Sequence, residues 1–108
     1  MTTIKEDYCS QEVYRLLRKK GFDGEVHTTF DEEGYTQPSI TLQMAMKWLR
    51  EVHNVAIVIS PSMFWGKYNI SIYKKGNDYP FGFDGDSLIP SYEQACEVAI
   101  KYCLEHLI

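Results

Sequence analysis

The cysteines and histidines offer this chain the most chemistry, and their spacing says which chemistry that would be. Cys103 and His106 stand three apart, with Cys96 two helical turns earlier. Sulfur and imidazole donors at that spacing can share a zinc ion, but a structural zinc site wants four ligands in two tight pairs. Only one loose pair is present. Cys96 and Cys103 also fall in the apolar stripe of a helix, where a free thiol packs as a small hydrophobe. His106 sits on the flank of that stripe near the helix C-terminus, where the dipole favours an imidazole. The expectation is no metal and no cofactor.

A cysteine nucleophile needs a nearby base and an electropositive, accessible setting. Cys9 stands near Lys5 and ahead of a helix, and His27 or His53 could serve as base if the fold brought either to it. A small hydrolase is therefore the third reading, with no catalytic residue assigned. Asp31-Glu32-Glu33-Gly34 and Asp84-Gly85-Asp86 have the composition of calcium loops but not the alternating ligands and distant Glu that such a loop requires, and acidic residues beside Gly are ordinary turn chemistry. The chain has no phosphate-cradling glycine loop, no GxSxG and no HExxH.

Two features point to binding instead. Arg15, Arg18 and Lys19 line one side of the first helix and make a basic stripe of the kind that tracks a phosphate backbone. Against this stands a net charge of −4, because phosphate neutralisation supplies most of a nucleic-acid binder's affinity. Nucleic acid is thus the alternative, disfavoured partner. Met63, Phe64 and Trp65 stand in a loop bounded by Pro61 and Gly66, where three large apolar side chains would form an exposed patch of interface composition. Met44 and Trp48 overrun the apolar arc of their helix and can belong to the same surface.

The chain that must position these residues has 108 residues, 44% of them hydrophobic and 14% aromatic, enough for one domain with one core spanning 1–108. Its three cysteines are widely spaced without a CxxC pair, so they are no disulfide framework. The first residues lack a secretory signal, and no stretch approaches the ~18 apolar residues of a membrane span. A cytoplasmic location follows as the expectation.

A first helix is expected from about Ser10 to Lys20, with Ser10 as N-cap, Gly21 past its end, and Cys9, Val13, Leu16 and Leu17 inward. Val26, Thr28 and Phe30 alternate with Glu25, His27 and Thr29 as in a half-buried strand, and Tyr35 to Gln37 returns before Pro38. A second helix, about Thr41 to His53 with Ser39 or Thr41 as cap, buries Leu42, Ala45, Met46, Leu49 and Val52 and ends at Asn54. Val55 to Ile59 is apolar at every position, as in a central strand covered on both faces. Tyr68, Ile70 and Ile72 alternate in the next strand, and Pro80 demotes the segment of Tyr79, Phe81 and Phe83 to an edge. The last helix, from about Tyr92, has Ser91 and Gln94 as a capping box, Cys96, Ala99, Ile100 and Cys103 inward, and Glu97→Lys101 as an i,i+4 pair.

The fold class is therefore α+β, a small antiparallel sheet of three to five strands with three helices in the order α-β(β)-α-β-β-(β)-α. The run Ala45-Met46-Lys47-Trp48-Leu49-Arg50-Glu51-Val52-His53-Asn54 and the tail Ser91 to Leu104 resemble a group of short uncharacterised proteins encoded by gut Bacteroidetes and their phages or mobile elements. That resemblance covers roughly a quarter of the chain through packing motifs. It implies a bacterial or phage origin and carries over no functional residue. The residues themselves favour a non-enzymatic binding or accessory domain acting through an aromatic surface on a protein partner or a second copy of the chain.

Overall fold

The computed structural model describes residues 7–61, 66–76, 81–82 and 89–108, the side chains of 81 and 82 excepted. Helix α1 spans Gln11–Lys19, and the Ser10 hydroxyl accepts from the Val13 N–H to cap it. Beyond Lys20 the chain turns through Gly21 at φ +102, and the Phe22 N–H reaches the Leu17 carbonyl at 2.9 Å. Only glycine adopts that φ without strain, and the turn folds Phe22 back under the helix.

Strands β1 (His27–Phe30) and β2 (Thr36–Ser39) form an antiparallel hairpin. Its turn is held by the Asp31 carboxylate, which accepts from the Glu33 and Tyr35 N–H groups at 3.0 and 2.9 Å. This acidic segment is thus occupied as a turn. The return strand runs later than expected and contains Pro38, paired with Thr28. A two-stranded ribbon has an edge on each side, so a missing N–H is tolerated there. The hairpin is also wetter than its alternation suggests, with Val26 exposed and Phe30 68% exposed. The hairpin forms a sheet of its own, separate from the strands that follow.

Helix α2 (Leu42–His53) is capped by the Thr41 hydroxyl and closed by Asn54 in the left-handed region at φ 57. Leu42, Ala45, Met46 and Leu49 are buried, whereas Val52, expected inside, is 56% exposed. Strands β3 (Val55–Pro61), β4 (Tyr68–Lys74) and β5 (Phe81–Gly82) make the second antiparallel sheet in the order β3-β4-β5. The expectation of one sheet of three to five strands is corrected to two separate sheets. The expectation of a central Val55–Ile59 is corrected too, since among the described strands β4 is central and β3 lies at an edge. Only one face of β3 meets the core, through Val55, Ile57 and Ile59. Val58 on the other face is 45% exposed.

Helix α3 (Tyr92–His106) starts at Ser91, whose hydroxyl accepts from the Gln94 N–H at 3.1 Å. It lies between α1, α2 and the β3–β4 sheet. That position buries Ala95 and Leu104 in addition to Cys96, Ala99, Ile100 and Cys103. The proximity of α1 also redirects the expected Glu97→Lys101 pair. Glu97 accepts from Ser10, and Lys101 reaches Glu12 at 2.7 Å. At the far end Lys74 donates to the Leu107 carbonyl at 2.7 Å and Lys20 to that of Ile108 at 2.9 Å, placing ammonium groups at the negative end of the dipole. Among the described residues no helix is long and apolar enough to cross a membrane.

Candidate interaction surface

Met44, Trp48 and Val52 recur every four residues, so they stack along one face of α2. That face lies beside the core-facing stripe, which lets Trp48 lean half-buried on the core while Met44 stays 45% exposed. The Trp48 ring meets the edge of Phe22 at 5.7 Å and of His53 at 4.6 Å between ring centroids, both near perpendicular. These contacts fix the indole's place.

The segment after α1 supplies the opposite wall. Phe22 is pinned by the turn at Gly21, and Gly24 then passes directly over its ring. A Cβ at Gly24 would stand 2.8 Å from Phe22 Cζ, so only glycine allows this close approach. Between the two walls is a groove of about 330 Å³ floored by Phe22, Met44, Trp48 and Val52. Its rim carries the carboxylates of Asp23, Glu25 and Glu51 with Lys47 and His27. The acidic excess favours a positively charged ligand, and the exposed Met44 thioether beside the half-buried indole favours an apolar one.

A second cleft of about 490 Å³ lies between Tyr8, Leu42, Ile89 and the first turns of α3, with Asp7, Glu93 and Glu97 among its lining. Glu97 is already engaged by Ser10.

Compared with family models, curated proteins and solved structures, the chain matches none.

The described residues do not assemble the chemistry considered from the sequence. The three cysteines are buried and free. Burial, reinforced by Glu97, pushes the Cys9 thiol up to about 12, the reverse of the lowered value a nucleophile needs. Burial likewise pushes Cys103 up to about 12 and raises Cys96. His27 lies beside Tyr8, His53 beside Trp48 and His106 beside Tyr102. No group of three or more potential metal ligands occurs among the described residues.

Arg15, Arg18 and Lys19 are exposed, with Arg18 drawn aside to donate to the Phe22 carbonyl at 3.1 Å. Met63, Phe64 and Trp65 lie outside the described residues, as does Asp84-Gly85-Asp86. Of the aromatic surface read from the sequence, the described part is Met44 and Trp48. The reading did not join Phe22, Gly24, Val52 or the acidic rim to them. The four-residue spacing of Met44, Trp48 and Val52 was available as a signal, but it merged with the buried stripe beside it.

Proposed function

We propose that this protein is a non-enzymatic binding domain whose α2 groove takes a short apolar segment of a protein partner flanked by lysine or arginine. The observation that carries this is the row Met44–Trp48–Val52, with Met44 and Val52 exposed and Trp48 half-buried, facing Phe22 inside a rim of three carboxylates and one lysine. Large apolar side chains left in water forgo burial worth roughly 1.5–3 kcal/mol each unless a partner covers them. The groove stands at the lower end of the ~300–1,000 Å³ range of ligand pockets, which suits anchoring side chains better than a large cofactor. Acidic flanks would steer a basic segment in and repel an acidic one.

The test is an NMR titration with matched synthetic peptides sharing apolar anchors and differing only in Lys/Arg or Glu/Asp flanks. The basic peptide should shift the Met44 methyl and Trp48 indole resonances, and Met44→Lys, which removes an apolar anchor and repels the basic flanks, should weaken it by about tenfold or more. Equal binding of the acidic peptide, or shifts elsewhere on the molecule, would refute the reading.

A further inference from the structure

Strand β3 presents an unusual edge. It is seven residues long, Val55–Pro61, and pairs with β4 in unbroken register from Val55↔Lys74 to Pro61↔Tyr68. Among the described residues no strand lies on its other side. None of its backbone groups takes part in the described backbone hydrogen bonds outside the ladder. Folded proteins usually blunt such an edge with a charge, a bulge or an interior proline. The sequence Val-Ala-Ile-Val-Ile-Ser-Pro has no charge, its register has no bulge, and its proline stands at the last position.

We infer that β3 pairs antiparallel with β3 of a second copy of this chain, joining the two three-stranded sheets into one of six strands. The partner must be an extended strand, because only a strand satisfies the outward N–H and C=O row. The chain's own copy fits for three reasons. First, β3 is uncharged, so two chains of net charge −4 meet there without placing like charges opposite each other. Second, paired residues in an antiparallel ladder share a face of the sheet, so a two-fold pairing must centre on a residue. Centring on Val58 pairs the whole strand: Val58 with itself, Ile57 with Ile59, Ala56 with Ser60 and Val55 with Pro61. Third, this register sets the half-buried Ile57 and Ile59 against their counterparts on the core face. On the outer face it brings together two copies of Val58, which is 45% exposed and lies opposite Ser71 of its own sheet.

One strand pair is smaller than a standard interface of ~800 Å² per partner, so the dimer should be weak. Sedimentation equilibrium from about 10 µM to about 1 mM should show a monomer–dimer equilibrium. Val58→Lys, an exposed site, should weaken it by about tenfold or more while leaving the circular-dichroism melt of the dilute protein unchanged. Ser60→Lys is the second variant should the first fail to fold. Isotope-filtered NOEs in a mixed labelled sample should connect Ile57 of one copy to Ile59 of the other. A chain that is monomeric at the highest concentration overturns the inference. So does a dimer insensitive to both lysines, or one lacking the Ile57–Ile59 contact.

Discussion

The Glu97 carboxylate of α3 closes the N-terminus of α1 by accepting from the Ser10 N–H and, at 3.2 Å, from the Ser10 hydroxyl. The same hydroxyl accepts from the Val13 N–H at 3.3 Å, so one side chain on α3 orients the cap of another helix. Ser10→Ala should cost about 1 kcal/mol, within the usual range for an N-cap. Glu97→Ala should cost about 1–2 kcal/mol, since it strips two donors of their acceptor. In urea denaturation the double variant should lose clearly less than the sum of the two. Additive losses would mean that the contact contributes nothing beyond its parts.

Burial of the thiols predicts their reactivity. In native protein all three cysteines should label slowly with an exposed-thiol reagent, and all three should label fast once the chain is unfolded in denaturant. Rapid native labelling of Cys103 would contradict its complete burial.

The same burial sets a dependence on pH. Cys9 and Cys103 are held near 12 against an ordinary 9.0, so the folded state keeps protons that the unfolded chain releases. The sign follows from linkage: their contribution is intact below about pH 9 and is lost as pH rises towards about 12. Thermal melts should therefore fall over that window. A Cys9→Ala, Cys103→Ala variant, though less stable at neutral pH, should show a shallower fall, and an equally steep one would assign the loss to other groups.

Two residues of the α2 groove should separate stability from binding. Trp48 braces Phe22 and His53, so Trp48→Ala should cost on the order of 2–4 kcal/mol. Met44 is exposed, so Met44→Ala should stay within about 0.5 kcal/mol of wild type while weakening the basic peptide. Gly24→Ala should displace the Phe22 ring, visible as shifted Phe22 and Trp48 resonances without peptide.

The basic stripe should not suffice for nucleic-acid binding. With a net charge of −4, a gel-shift near physiological salt should show no submicromolar binding to duplex DNA or RNA. Tight binding lost in Arg15→Glu, Lys19→Glu would instead establish the first helix as a phosphate-tracking face.

What the sequence determined by itself is mostly local. Ser10 and Ser91 mark two helix starts and Gly21 and Asn54 two of the ends, because capping depends on backbone geometry within one turn. The inward positions of Cys96, Ala99, Ile100 and Cys103 follow from periodicity for the same reason. Tertiary structure decided the rest. Val55–Ile59 is apolar at every position whether it is central or at an edge, and only the strand order β3-β4-β5 distinguishes the two. Glu97 and Lys101 suit each other along a helix, but the approach of α1 offers Ser10 and Glu12 as partners instead. Met44, Trp48 and Val52 become a groove only because Phe22 and Gly24, some twenty residues away in sequence, form its other wall. Capping and periodicity act within a few residues, whereas edges, pair choice and grooves depend on which distant segments arrive, and that is settled by packing of the whole chain.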